Sequence, residues 1–289
     1  MRQVPVTNVR DFARFKQEHR KISIVTAYDA WSAHLVERSN VDAILVGDSA
    51  AMVMHGHRTT VPATVAMMAL HTAAVARAAG NKFVIADMPF LSYRNGVSSA
   101  MRAVGALLRS GAHAVKLEGG APVLPIMRRL VELGIPVMGH LGFTPQSEHQ
   151  LGRRVQGRRA DDARRLIEDA LAAEAAGAFA LVLELVPAEL AREISTRLHI
   201  PTIGIGAGPG CDGQVQIWHD LLGAYTDFVP RHARRYANLA DTIASALQSY
   251  AADVRAGAFP TSEHGSTMKE QDLQEAIQQI EDRQATSED

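Results

Sequence analysis

Short apolar runs return along this chain with helical stretches between them, and that rhythm restricts the fold more than any other feature. The runs are ISIVTAYD (22–29), DAILVGDS (42–49), FVIADMPF (83–90), AVKLEGG (114–120), PVMGHLG (136–142), ALVLELVP (180–187), PTIGIGAG (201–208) and TDFVP (226–230). Most are continuously apolar rather than alternating, which suits strands covered on both faces, as in a parallel sheet. Between them lie stretches of helical period such as TVAMMALHTAAVARAAG, SSAMRAVGALLRSGA, APVLPIMRRLVELG and DDARRLIEDALAAEAAG, several closed by a glycine suited to end a helix. Eight such units in roughly 250 residues match a closed (β/α)8 TIM barrel in number and length. A doubly wound open sheet is the competing architecture, and the barrel is preferred because no glycine-rich nucleotide turn follows the first run.

The expected organisation is a helical lead-in over 1–20, a single catalytic barrel over 21–260 and a polar, acidic extension over 261–289. That extension, TSEHGSTMKEQDLQEAIQQIEDRQATSED, carries a weak helical period in LQEAIQQI. It reads as a frayed tail, with a docked or partner-binding helix as the alternative. The 30 Lys and Arg nearly balance the 31 Asp and Glu, so no overall field is available to hold nucleic acid or an anionic membrane. The only cysteine, Cys211, excludes an intramolecular disulfide and reads as a reduced structural thiol. The first twenty residues are polar and charged, unlike a signal sequence, and no apolar stretch is long enough to span a bilayer. A cytoplasmic protein acting on small molecules is expected.

Five acids, Asp29, Asp48, Asp87, Glu118 and Glu184, sit at or near the C-terminal ends of the apolar runs. Parallel strands of a barrel all finish on one rim, where barrel enzymes keep their chemistry, so residues remote in sequence meet there. Any one of these acids alone reads as a helix cap or a solvated loop charge. Together they repel one another, and a raised pKa or a bound cation is the usual compensation. Oxygen donors favour a hard ion such as Mg²⁺, and Asp48, Asp87 and Glu118 form a plausible set for it. Lys116 lies two residues before Glu118, hence on the same side of its strand, where it can pair with the carboxylate of a 2-oxo acid. A polarised ketone acidifies the proton on the neighbouring carbon, and a separate base must take that proton. Glu184, in the apolar run LVLELVP, is the candidate, because apolar surroundings raise a carboxylate pKa towards neutral.

These residues resemble the ketopantoate hydroxymethyltransferase family closely. The resemblance rests on TAYD, VGDS, TVPATV, HTAAV, IADMPF, VKLEGG, PVMGHLGFTPQS, VQGR, LVLELVP, IGIGAGPGCDGQ and VPRHARRY, spread in order from Lys21 to about Pro260. It implies a (β/α)8 barrel that uses Mg²⁺ to transfer a one-carbon unit from 5,10-methylenetetrahydrofolate to 3-methyl-2-oxobutanoate, through an enolate, giving 2-dehydropantoate for pantothenate and coenzyme A synthesis. It further implies metal ligation by Asp48, Asp87 and Glu118, substrate contacts at Asp48, Ser49, Asp87 and Lys116, and Glu184 as proton acceptor. A homo-oligomer, commonly a decamer, is implied as well. His140 is placed near the substrate by the resemblance and is left outside the catalytic set.

Two stretches depart from the family pattern. Its DSLGM reads DSAAM here, with Ala51 in place of a glycine, and its GGYKVQG loop reads LGRRVQG, with Leu151, Arg153 and Arg154 altered. GIGAGPG lacks the Lys-Ser/Thr of a phosphate loop and reads as close backbone approach at the rim. The competing activities are a Mg²⁺-dependent carbon–carbon lyase of the phosphoenolpyruvate mutase and isocitrate lyase type, and a non-catalytic ligand-binding barrel. The first typically needs a cysteine-bearing active loop, and Cys211 within GPGCDG is the only cysteine.

Overall fold

The structure, a computed structural model, describes residues 6–226, 228 and 230–285. The chain divides into two compact units, Met1–Ala237 and Asn238–Asp289. The first holds, in order, α1 (Val9–Gln17), β1 (Ile22–Thr26), α2 (Ala30–Glu37), β2 (Ala43–Val46), α3 (Ala50–Val53), α4 (Val65–Ala78), β3 (Phe83–Asp87), α5 (Val97–Arg109), β4 (Ala114–Glu118) and α6 (Leu124–Glu132). It continues with β5 (Val137–Gly142), α7 (Glu148–Leu151), α8 (Ala160–Ala175), β6 (Ala180–Glu184), α9 (Ala188–Arg197), β7 (Thr202–Ile205), β8 (Gly213–Gln216) and α10 (Trp218–Leu222). The eight strands are all parallel and close into a barrel in sequence order, β1 pairing with both β2 and β8. Closure excludes the open-sheet alternative.

Strand parity builds two apolar layers. One set of positions, including Ile44, Val46, Val84, Val115, Leu117, Val137 and Leu183, packs with the helices. The alternate set, Ile24, Ala43, Leu45, Phe83, Ile85, Ala114, Met138, Val182 and Ile203, shares a second cluster with Phe12 and Phe15 of α1. Because side chains alternate faces along a strand, these inward positions continue at steps of two to Asp87, Lys116, Glu118, His140 and Glu184. A buried strand therefore ends in a charge because its last inward position reaches the rim.

The other end is stoppered by α1. Asn8 and Asp11 cap this helix reciprocally, Asn8 accepting from the Arg10 backbone and Asp11 from that of Asn8. Phe12 packs edge-on against Phe83 and Phe179, with ring centroids 5.5 and 5.1 Å apart. Lys16 Nζ donates to the carbonyls of Ser195 and Ile200 and to Asp212, tying the stopper to the strand entrances.

Seven of the eight expected strands lie where the apolar runs place them; the last does not. In the run 226–230, Asp227 and Val229 lie outside the described residues, and Thr226, Phe228 and Pro230 belong to no strand. The eighth strand is Gly213–Gln216, whose sequence GQVQ hides its role by alternating buried and accessible positions. A Cβ at Gly213 would run into the carbonyl of Ile22. No helix separates β7 from β8, so the GAGPGCDG segment makes the crossover by turns instead of the expected βα alternation. Gly206 and Gly208 take φ of 66° and 75° there, and a Cβ at Gly208 would meet Ala188, which is the close backbone approach expected of this segment.

Asp29 also leaves the candidate set, because its side chain accepts from the Ser32 backbone as the N-cap of α2. Ala51 sits fully buried inside α3, a helical conformation that needs no glycine. The second unit contains α11 (Leu239–Ala256) and α12 (Glu270–Ala285), so the tail carries a helix where LQEAIQQI has its period. Among the described residues, no helix is long and apolar enough to cross a membrane.

Candidate active site

The strand ends enclose a cavity of about 360 Å³. Its floor is apolar, from Leu45, Val182, Ile205 and Val215, and its wall carries Asp48, Asp87, Lys116, Glu118, His140 and Glu184. Every candidate residue, Ser49 included, lines this one space. His55 and His71 do not; they pair with each other, Nε2 to Nε2 at 2.8 Å, away from the lining. Cys211 is also outside it, buried in the β7–β8 crossover, so no cysteine-bearing active loop faces the cavity.

Each wall residue is held by a local reason. Gly47 lets the chain turn sharply after β2, since a Cβ there would lie 2.8 Å from Ser49 Oγ. The turn aims the Asp48 N–H at Asp87 Oδ2, 3.0 Å away, and sets Ser49 Oγ 2.8 Å from the buried Tyr28 hydroxyl. On β4, Lys116 and Glu118 both point inward, and Lys116 stands in register with Asp87 of β3. Lys116 Nζ is 3.0 Å from Asp87 Oδ1 and 3.4 Å from Glu118 Oε1. His140 stands in register with Glu118, its Nδ1 3.3 Å from Glu118 Oε1 and its Nε2 3.3 Å from Glu184 Oε2. Lys116 Nζ also lies 3.1 Å from His140 Nδ1, a contact that is a hydrogen bond only when the ring is neutral.

The electrostatics follow from crowding acids in a buried space. Burial, reinforced by the charges of Asp87 and Glu118, holds Asp48 well above the usual carboxylate range. Burial likewise raises Asp87, against the pull of Lys116. Glu118 is buried too, but Lys116 and His140 outweigh that and lower it to about 2. Lys116 is held firmly charged, its burial overcome by Asp87, Glu118 and Asp48. His140 is pushed down by burial and Lys116, yet Glu118 and Glu184 outweigh them and raise it. Glu184 is the most accessible of the wall acids at 15% and faces an imidazole instead of a purely apolar pocket.

A hard divalent cation suits this donor set. Its donors are carboxylate oxygens, and burial holds two of the acids, Asp48 and Asp87, above their normal range even with Lys116 3.0 Å from Asp87 Oδ1. Gln146 Nε2 donates to Asp48 Oδ2 at 2.9 Å. Among the described residues no three His, Cys, Asp or Glu converge as a ready metal cage; an ion that keeps waters and uses one or two carboxylates needs none.

Two participants escape sequence reasoning. Gln146 and Tyr93, 3% and 0% exposed, connect the acids through hydrogen bonds. Neither carries charge nor ends an apolar run, and the only local signal is Pro145, which opens the short turn that delivers Gln146 to the rim. The altered loop supplies Arg153 to the cavity mouth, where it pairs with Glu148 at 3.0 Å.

Residues 6–262 match the family model described as ketopantoate hydroxymethyltransferase. A 3-methyl-2-oxobutanoate hydroxymethyltransferase of Chloroflexus aggregans is 56% identical over 276 residues, covering 96% of this chain and 99% of the relative. That of Gluconacetobacter diazotrophicus is 51% identical over 267 residues, covering 92% and 97%. Among solved structures, 2,3-dimethylmalate lyase, a member of the phosphoenolpyruvate mutase/isocitrate lyase superfamily, matches with a TM-score of 0.57 and 19% identity across 99% of both chains. Phosphonopyruvate hydrolase in complex with oxalate and Mg²⁺ matches with a TM-score of 0.58 and 12% identity across 97% of this chain and 99% of its own. Identities this low speak for the fold alone. The extent of the family match, with relatives above half identity along nearly the whole length, makes this chain a member of the ketopantoate hydroxymethyltransferase family.

Proposed function

We propose that this chain transfers a hydroxymethyl unit from 5,10-methylenetetrahydrofolate to 3-methyl-2-oxobutanoate, giving 2-dehydropantoate, as the names of its relatives suggest. The observation that carries the reading is one cavity holding a buried lysine among three acids, with a fourth acid, Glu184, joined to them through His140. Lys116 binds the carboxylate of the keto acid, and Ser49 Oγ, held by Tyr28, donates to one of its oxygens. The apolar floor takes the branched carbons and keeps water from the reacting face.

Asp48, Asp87 and Glu118 would hold Mg²⁺, in part through its waters, and the ion when bound supplies a Lewis acid beside the keto group. Glu184 accepts the C3 proton, and the electron pair of the broken C–H bond becomes the C2–C3 double bond of the enolate. Water cleaves the two C–N bonds that hold the methylene unit, its protons passing to the two nitrogens of tetrahydrofolate and its oxygen staying on the one-carbon unit as an aldehyde. The enolate pair then forms the new C–C bond to that carbon, and the aldehyde oxygen takes the proton back from Glu184 to become the hydroxyl. His140 steadies the Glu184 carboxylate from its Nε2 side. Family resemblance adds a cytoplasmic homo-oligomer, a decamer, to the reading. Purified protein supplied with Mg²⁺ and both substrates is expected to form equal amounts of 2-dehydropantoate and tetrahydrofolate, and to stop when the ion is chelated. Cleavage of a 2-oxo acid without dependence on the folate would favour a lyase instead.

A further inference from the structure

Gln146 is hydrogen-bonded at the rim through both polar atoms of its side chain, although it bears no charge. Its Nε2 donates to Asp48 Oδ2 at 2.9 Å and to the Met88 carbonyl at 2.8 Å. Its Oε1 accepts from the Tyr93 hydroxyl at 2.8 Å, and its backbone N–H donates to Glu118 Oε2 at 3.0 Å. Met88 O can only accept, which fixes the amide orientation: the NH₂ end must face Met88 and therefore Asp48. Tyr93 is anchored in turn, its hydroxyl accepting from the Glu118 N–H at 3.2 Å and lying 2.9 Å from the Glu118 carbonyl.

The consequence is a division of oxygens. Gln146 occupies Asp48 Oδ2. Glu118 Oε2 is occupied by the Gln146 backbone, and Oε1 by Lys116 and His140. Donors behind a carboxylate set which of its oxygens points forward and how freely it turns. We propose that Gln146 is a positioning residue for the divalent ion, holding Asp48 so that Oδ1 alone is presented to the cation and joining that carboxylate to Glu118 across the rim. This rests on the ion-binding role proposed above for Asp48.

The test is Mg²⁺ binding by titration calorimetry on the full chain, with folding checked by circular dichroism. Gln146→Met keeps the side-chain length and removes both donors. Its affinity for Mg²⁺ is expected to fall about 10- to 100-fold, as for lost partners of metal-ligating groups. Tyr93→Phe loosens the amide without touching Asp48 and is expected to lose about twofold to tenfold, the worth of one hydrogen bond. In turnover, the Mg²⁺ concentration for half-maximal rate should rise in Gln146→Met while kcat at saturating Mg²⁺ changes much less, a split that general damage to the fold would not give. A folded Gln146→Met with affinity within twofold of the parent overturns the proposal. If that variant does not fold, unchanged affinity in Tyr93→Phe overturns it. A parent protein that binds no Mg²⁺ overturns the ion-binding reading and this inference together.

Discussion

Asp87 and Lys116 stand opposite each other in register on neighbouring strands, and their charged ends meet at 3.0 Å inside the barrel. Both side chains are 4% exposed, so the pair lives where desolvation is severe. Lys116 also faces Glu118 at 3.4 Å and is the one buried lysine among the described residues, which makes it the counter-charge for the whole acidic group.

Replacing Lys116 by Met should therefore cost more than an ion pair at the surface. Removing one partner of a buried pair leaves an uncompensated charge and costs about 3–5 kcal/mol. Denaturant unfolding in the presence of chelator is expected to show a loss of that size at neutral pH. The loss should shrink in acid, where the carboxylates take up protons. Equal stability of the two proteins at pH 7 would contradict the picture.

Asp48→Asn tests the crowding directly. Burial and the neighbouring charges raise the native pKa of Asp48, so the native state keeps a proton that the unfolded chain releases. That contribution to stability is complete below the ordinary value of 3.8 and is lost as pH rises through the native value. In ion-free protein at neutral pH, the Asn variant should be more stable than the parent by about 0.5–2 kcal/mol, in the range of other relieved functional sites. The gap should close below pH 3.8, and added Mg²⁺ should stabilise the parent more than the variant. Glu118 has the opposite sign: its lowered pKa gives stability that is present above 4.5 and lost as pH falls towards 2, so Glu118→Gln should remove that acid-side loss. Unfolding curves taken stepwise in pH read both slopes.

Gly142, the last residue of β5, has φ of 90° and pairs with Glu184 in register. A Cβ there would strike the Glu184 carbonyl and crowd Val186. Gly142→Ala is expected to lose about 1–3 kcal/mol from the backbone conformation alone. It should also shift Glu184, and a displacement of about 1 Å at a reacting group is worth about 100-fold in rate. Thermal unfolding and turnover measured on the same preparation separate the two effects.

Much of this architecture can be read from the residues, for reasons that differ by element. Strands β1 to β7 announce themselves because they are almost wholly buried and their sequences are mostly apolar. β8 does not, because Gln214 is exposed and Gln216 half-buried, while the more apolar TDFVP beyond it drew the expectation. Asp48, Asp87, Lys116, Glu118 and Glu184 could be picked out as charges interrupting apolar runs, and the structure gathers them at one cavity. Asp29 carries the same local signature yet caps α2, since only its place relative to the barrel axis distinguishes the two roles. Gln146 lies in the quoted stretch PVMGHLGFTPQS, but nothing there or around Tyr93 marks the role of either, because their work depends on partners 28 to 98 residues away in one case and 25 to 53 in the other.

Glu184 is the residue proposed to remove the C3 proton of a keto acid held by Lys116 and the acids around it. Deuterium exchange at C3 of 3-methyl-2-oxobutanoate, followed by NMR in heavy water with Mg²⁺ and no folate, isolates that step. The parent protein should catalyse the exchange, and Glu184→Gln should slow it by about 100- to 10,000-fold while still binding the keto acid. A folded Glu184→Gln that exchanges the proton at the parent rate would rule Glu184 out as the base.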